Sequence, residues 1–130
     1  MDLAQSLTKE SHIEETCSEW LALDGWRSLK TDPVSDRGRG KGFGELGMAD
    51  RLYIRYEKQA CPPTMDIGTS QVMWIEYKSK NGKAKQHQKD WHYVERMRGA
   101  LVLVAGADFA PSIESFQRWY RASGLMRRKI

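Results

Sequence analysis

The sequence predicts an α/β fold, a mixed central β-sheet flanked by helices in the order α-β-β-β-α-β-α. Apolar residues recur at helical spacing near the start of the chain, after residue 84 and after Pro111. Val72–Ile75 and Ala100–Ala105 are apolar runs rich in β-branched residues and too short for helices, so they read as buried strands. The early strands follow one another as a meander, and a helix separates the last pair as a β-α-β crossover. At 130 residues the chain has the length of one domain, taken as residues 1–130.

The first helix is predicted over Thr8–Asp24, with Thr8 or Ser11 as cap and Ile13, Cys17, Trp20, Leu21 and Leu23 toward the core. Gly25 supplies the left-handed stop. Trp26–Lys30 alternates as a short strand. Asp32–Gly47 is a basic, glycine-rich loop. It contains G-x-G-x-x-G at Gly42, Gly44 and Gly47, but it opens onto a strand, Ala49–Tyr56, rather than a helix, so dinucleotide binding is rejected. In that strand Asp50, Leu52, Ile54 and Tyr56 share a face. Glu57–Thr69, with Pro62-Pro63, is a connecting loop. Gln71–Lys80 is the next strand, ended by an Asn81-Gly82 turn. Ala84–Met97 is a helix with Trp91, Val94 and Met97 toward the core, and Gly99 stops it. Ala100–Ala105 is apolar on both faces, as a central or parallel strand is. Pro111 begins a last helix to about Ala122, with Ile113, Phe116, Trp119 and Tyr120 as its stripe. The Arg127–Lys129 tail is expected to fray.

Composition removes several function classes. Lys and Arg number 21 against 17 Asp and Glu, a net charge of +4 that suits a polyanion partner without requiring one. Two cysteines, Cys17 and Cys61, with no C-x-x-C and no secretory leader, predict a reducing, cytoplasmic setting. Cys17 is expected to pack rather than react. The longest apolar run is far too short for a membrane span. His12, His87 and His92 lack zinc-ligand spacing, and His87 and His92 are expected on a helix surface. Lys41 precedes Gly42 rather than Ser or Thr, so no Walker A motif forms and no nucleotide cofactor is expected.

Polar residues from four elements point to one chemistry. At the end of the Gln71–Lys80 strand, alternation puts Glu76 and Lys78 on one face and Tyr77 on the other, in the core. Asp50 opens its own strand, Gln88 lies near a helix start, and Glu10 and Glu14 share a face of the first helix. Hard divalent cations need oxygen ligands and keep several waters, so Asp50 and Glu76 are enough to hold Mg²⁺ or Mn²⁺. The Tyr77 backbone carbonyl is a further candidate ligand. Lys78 would orient a water or stabilise charge building on phosphate. Arg37, Arg39 and Lys41 in the glycine-rich loop, with Lys80, Lys83, Lys85 and Lys89 around the next helix, suit contacts to a phosphate backbone.

GMAD (Gly47–Asp50), IEYK (Ile75–Lys78) and QKDW (Gln88–Trp91), in that order, resemble the VRR-NUC family of the PD-(D/E)XK nuclease superfamily. The match runs from about Glu10 to Val104. It implies a restriction-endonuclease-like core, Asp50 and Glu76 as metal ligands, Lys78 as the catalytic lysine and Gln88 as a supporting glutamine. Glu14 is implied as the first-helix acid, with Glu10 as the alternative. The sequence departs from the family at Ala49, where proline is usual, and in the longer Glu57–Thr69 loop. The resemblance implies a structure-selective DNA endonuclease leaving 5′-phosphate and 3′-hydroxyl ends. A homodimer resolving four-way (Holliday) junctions in a bacterial or phage-infected cell is expected first. A flap or single-strand nuclease, or a non-catalytic DNA-binding module, is the alternative.

Overall fold

The structure, a computed structural model, describes residues 3–31, 44–58, 69–78 and 84–128. Its elements are α1 (Leu3–Ala22), β1 (Arg27–Lys30), β2 (Arg51–Lys58), β3 (Thr69–Glu76), α2 (Gln86–Met97), β4 (Leu101–Val104) and α3 (Ile113–Ser123), the predicted order. The strands lie side by side in sequence order. β1, β2 and β3 pair antiparallel, and β4 joins β3 in parallel after the α2 crossover.

The alternation of β3 divides the core. Met73, Ile75 and Tyr77 face α1 and α3, where they pack with Ile13, Cys17, Leu21, Tyr53, Phe116 and Tyr120. Trp74 faces α2 and meets Trp91 edge-on at 5.0 Å, beside Ala49 and Val102. β4 is apolar on both sides because each side is covered: Val102 packs toward α2 and Leu103 toward α1 and α3. Burial drives the Cys17 thiol up to about 12, which leaves it as packing, as expected.

Several expectations are corrected. α1 begins at Leu3 rather than Thr8 and ends at Ala22, so Leu23 lies beyond it and is exposed. Gly25 does take the left-handed conformation (φ +90°). On α2, Trp91 is buried, but Val94 and Met97 are 44% and 70% exposed, and His92 is buried instead of lying on the surface. Val94 follows Trp91 by three residues and His92 follows Gln88 by four, so helical spacing alone does not choose between the two faces. Leu52, Ile54 and Tyr56 share a face as expected, on which Leu52 and Ile54 are half-buried and Tyr56 exposed, while Tyr53 and Arg55 are buried on the other. Pro111 precedes α3, whose cap is Ser112, accepting from the Ser115 N–H.

The tail does not fray as far as it is described. The backbone N–H groups of Arg127 and Arg128 donate to the Asp24 carboxylate at 3.0 and 2.8 Å. Arg55, over the Trp26 ring, pairs with the same carboxylate at 2.9 Å, and the Tyr120 hydroxyl donates to it as well. The expectations for Arg37, Arg39, Lys41, Lys80, Lys83 and the Asn81-Gly82 turn lie outside the described residues.

Candidate active site

Strand pairing builds the site. Arg51 is opposite Ile75 in the antiparallel β2–β3 register, so the residue before β2, Asp50, comes beside the last residue of β3, Glu76. The Asp50 backbone N–H donates to Glu76 Oε2 at 3.1 Å, and the Tyr77 N–H donates to Asp50 Oδ2 at 2.9 Å. Each carboxylate is thus anchored to the other strand's backbone. Lys78, on the same side as Glu76, places Nζ 3.0 Å from Glu76 Oε1.

Gln88 arrives from the first turn of α2 and closes the ring. Its Nε2 donates to Glu76 Oε1 at 2.9 Å, while its Oε1 accepts from Lys78 Nζ at 3.1 Å and from the Lys85 N–H at 2.9 Å. Only one amide orientation allows this, since a carboxylate accepts and an ammonium or backbone N–H donates.

Two further groups fix Asp50. Gly47 has φ +81°, and a Cβ there would stand 2.3 Å from the His87 carbonyl oxygen, so only glycine lets the loop pass this close to the start of α2. Thr31 donates from its N–H to the Asp50 carbonyl at 3.0 Å and from its hydroxyl to the same oxygen at 2.9 Å; the hydroxyl also contacts the Ala49 carbonyl. Thr31 thereby restrains the backbone on both sides of the Ala49–Asp50 peptide. Ala49 is fully buried in the Trp91 cluster.

The electrostatics are those of a site short of positive charge. Burial pushes Asp50 up to about 6; Glu14 and Glu10 push the same way, against the Tyr77 N–H and Lys78. Burial, then the nearby Asp50 charge, pushes Glu76 up to about 7, while Lys78 opposes. Near neutral pH the two acids compete for ionisation, a conflict that an added cation relieves. The donor set, the buried Glu76 carboxylate beside the half-buried Asp50 carboxylate, fits a hard divalent cation, which takes oxygen ligands and retains water.

The first-helix acids stand differently. Glu14 Oε1 is bound by Arg51 Nε at 2.8 Å, and Arg51 Nη1 also donates to Ser28. Its charge reaches Asp50, but among the described residues no three His, Cys, Asp or Glu side chains converge closely enough to hold a metal ion. Glu10, half-buried one turn earlier, also bears on Asp50. The Tyr77 side chain lies in the core and bonds to Tyr53 at 2.7 Å, as expected. Lys85 and Lys89 are exposed at the start of α2.

Sequence reasoning passed over Thr31 and Arg51 and took His92 only as a surface or helix-face residue. Strand alternation puts Arg51 on the face opposite Asp50, but that α1 and Glu14 cover this face depends on how helix and sheet pack. Thr31 carried no signal, because its contact depends on where the Asp50 backbone runs.

No family model matches the chain, and no curated protein matches it. A solved structure described as "VRR_NUC domain" does match, with a TM-score of 0.56 and 22% identity, over 88% of this chain and 97% of that one. The chain has the fold of a VRR_NUC domain. In the VRR_NUC fold of this protein, the strand ends that carry Asp50 and Glu76 and the helix start that carries Gln88 meet at one edge of the sheet.

Proposed function

We propose that this chain is a VRR-NUC nuclease that hydrolyses DNA phosphodiesters with Mg²⁺ or Mn²⁺. The observation that carries this is the closed ring of Glu76, Lys78 and Gln88 with Asp50 bonded to Glu76, a buried and a half-buried acid beside one lysine. Asp50 and Glu76 would hold the cation, with the Tyr77 carbonyl as a further oxygen and Glu14 or Glu10 approaching from α1. A cation bound there supplies polarisation of a phosphoryl oxygen and a lowered pKa for a ligated water.

The remaining work falls to the chain. Lys78, held at Glu76 and Gln88, donates to the attacking water or to the oxygen on which charge builds. Gln88 fixes that ammonium and at the same time closes the first turn of its own helix. Hydrolysis at the 3′-oxygen leaves 5′-phosphate and 3′-hydroxyl ends. Lys85 and Lys89, with Arg37, Arg39, Lys41, Lys80 and Lys83, supply the phosphate contacts. We infer branched DNA as the substrate, a four-way junction first. One site per chain and two symmetric cuts favour a homodimer, acting in the cytoplasm of a bacterial or phage-infected cell.

The test is cleavage of four-way junction, flap, duplex and single-stranded DNA with Mg²⁺ or Mn²⁺, beside Lys78→Ala and Asp50→Ala. Wild type should cut, and each variant should lose about 100-fold or more. Equal cutting by all three proteins overturns the assignment. Binding without cutting points instead to a non-catalytic DNA-binding module.

A further inference from the structure

Among the described residues, two buried side-chain nitrogens have no protein partner, Trp91 Nε1 and His92 Nε2. The indole sits in an apolar cluster with Ala49 and Val102. The imidazole has charged surroundings. His92 is 2% exposed and follows Gln88 by one helical turn, so both project from the same face of α2. Arg96 on α2, Lys78 at the end of β3 and Asp108 after β4 all bear on its ring. Burial first, then Arg96 and Lys78, hold it down at about 4, so the ring is neutral near pH 7 and presents one N–H and one lone pair.

A buried nitrogen left unpaired costs about 1–3 kcal/mol, which a leucine in the same place would avoid. Lys78 has the complementary surplus. An ammonium has three hydrogens, and Glu76 Oε1 and Gln88 Oε1 take two of them.

We propose that His92 is a positioning residue for Lys78, its Nε2 accepting the third ammonium hydrogen through one bridging water. Buried waters commonly join polar groups in this way and hold nearly as well as a direct bond. Gln88 and His92, one turn apart, would then grip the ammonium from α2. With a cation held at Glu76, Gln88 and the bridged His92 would keep two of the ammonium hydrogens and leave the third for the phosphodiester. A charged imidazole would repel Lys78 and lose the lone pair, so neutrality of the ring belongs to the role. The effect on cutting rests on the nuclease reading above; the contact itself does not.

The experiment compares wild type with His92→Leu and His92→Gln, the second restoring a polar group near the Nε2 position. Single-turnover cleavage, DNA affinity and urea midpoints are measured for each. Leucine should lower the cleavage rate about tenfold to a hundredfold, leave DNA affinity unchanged and hold or raise the urea midpoint. Glutamine should recover most of the rate. Wild-type cutting by the leucine variant overturns the proposal, as does equal loss in both variants or a loss that follows a lowered midpoint. A second readout needs no activity: the ¹⁵N resonance of His92 Nε2 should move in Lys78→Met, and an unmoved resonance also overturns it. A moved resonance in a protein that cuts no DNA keeps the contact and rejects the nuclease reading alone.

Discussion

The Gln88 amide accepts from Lys78 and from the Lys85 backbone through one oxygen and donates to Glu76 through its nitrogen. Cap and site therefore separate by substitution. Gln88→Ala should lose both, with about 1 kcal/mol of stability and at least tenfold in cleavage, read by urea unfolding and single-turnover assay. Gln88→Glu keeps the acceptor for the Lys85 N–H but sets a third carboxylate against Glu76, so cleavage should fall while the cap persists. Asp50 and Glu76 set a pH dependence of known sign. Folding raises Asp50 from 3.8 to about 6 and Glu76 from 4.5 to about 7, so the folded protein binds protons that the unfolded chain has released. Their favourable contribution is complete below about pH 4 and is lost as pH rises through 6 and 7. Melting of the metal-free protein should show this fall, and Glu76→Gln should flatten it. Added Mg²⁺ should raise the melting temperature with concentration at pH 8, because a cation taken up by Asp50 and Glu76 would bind the folded chain alone; no response in that titration would count against the cation.

Elements are tied together at the opposite end of the sheet by Asp24. Its carboxylate meets Arg55 of β2, Tyr120 of α3 and the backbone of Arg127 and Arg128, and Arg55 also donates to Gln71 of β3 at 2.8 Å. Burial alone would raise this acid, but the bonds from Tyr120, Arg128 and Arg127 and the Arg55 charge together hold it below 3.8. Its stabilising contribution is therefore present above the unfolded value and disappears as pH falls through the folded one, the reverse of Asp50 and Glu76. Asp24→Ala leaves Arg55 buried without its counter-ion and should cost about 3–5 kcal/mol in urea unfolding. The loop into β2 offers a second test. Gly47→Ala would press a methyl group on the His87 carbonyl at positive φ. It should lower stability and misplace Asp50, so that cleavage falls further than the melting temperature alone predicts. Helix spacing, strand alternation and the Gly25 stop made the element order legible in the sequence. Burial on α2 was not legible, because Val94 and Met97 continue the three-residue spacing from Trp91, whereas the buried His92 stands next to it. The fastening of Arg127 and Arg128 was hidden for a different reason: it depends on backbone N–H groups meeting a carboxylate about a hundred residues away, and such a contact leaves no trace in side-chain pattern. At the site, the nearness of Asp50, Glu76, Lys78 and Gln88 followed from the order of their motifs rather than from local pattern, which ran the strand on to Lys80 where β3 ends at Glu76. The Arg51–Glu14 pair could not be read, because it needs the relative placement of α1 and β2.

For the whole molecule, the excess of basic residues gives +4, and its distribution matters more than its size. Lys85 and Lys89 lie exposed where α2 begins, the same turn from which Gln88 reaches Glu76. A DNA backbone seated at the acids would thus pass the start of this helix. Lysines that neutralise phosphates act through counter-ion release, so their mark is the salt dependence of binding rather than its sequence preference. Binding is measured with Asp50→Ala to prevent cutting, on junction and duplex DNA over a range of salt concentrations. Replacing Lys85 and Lys89 by alanine should weaken binding by a similar factor on every DNA sequence. The slope of log affinity against log salt should fall by about one unit for each phosphate left without its lysine. Retention of the junction-over-duplex ratio would place shape recognition elsewhere on the molecule, with these lysines serving as sequence-blind anchors. An unchanged slope would mean that the DNA reaches the acids by another path, and that this end of α2 faces solvent in the complex.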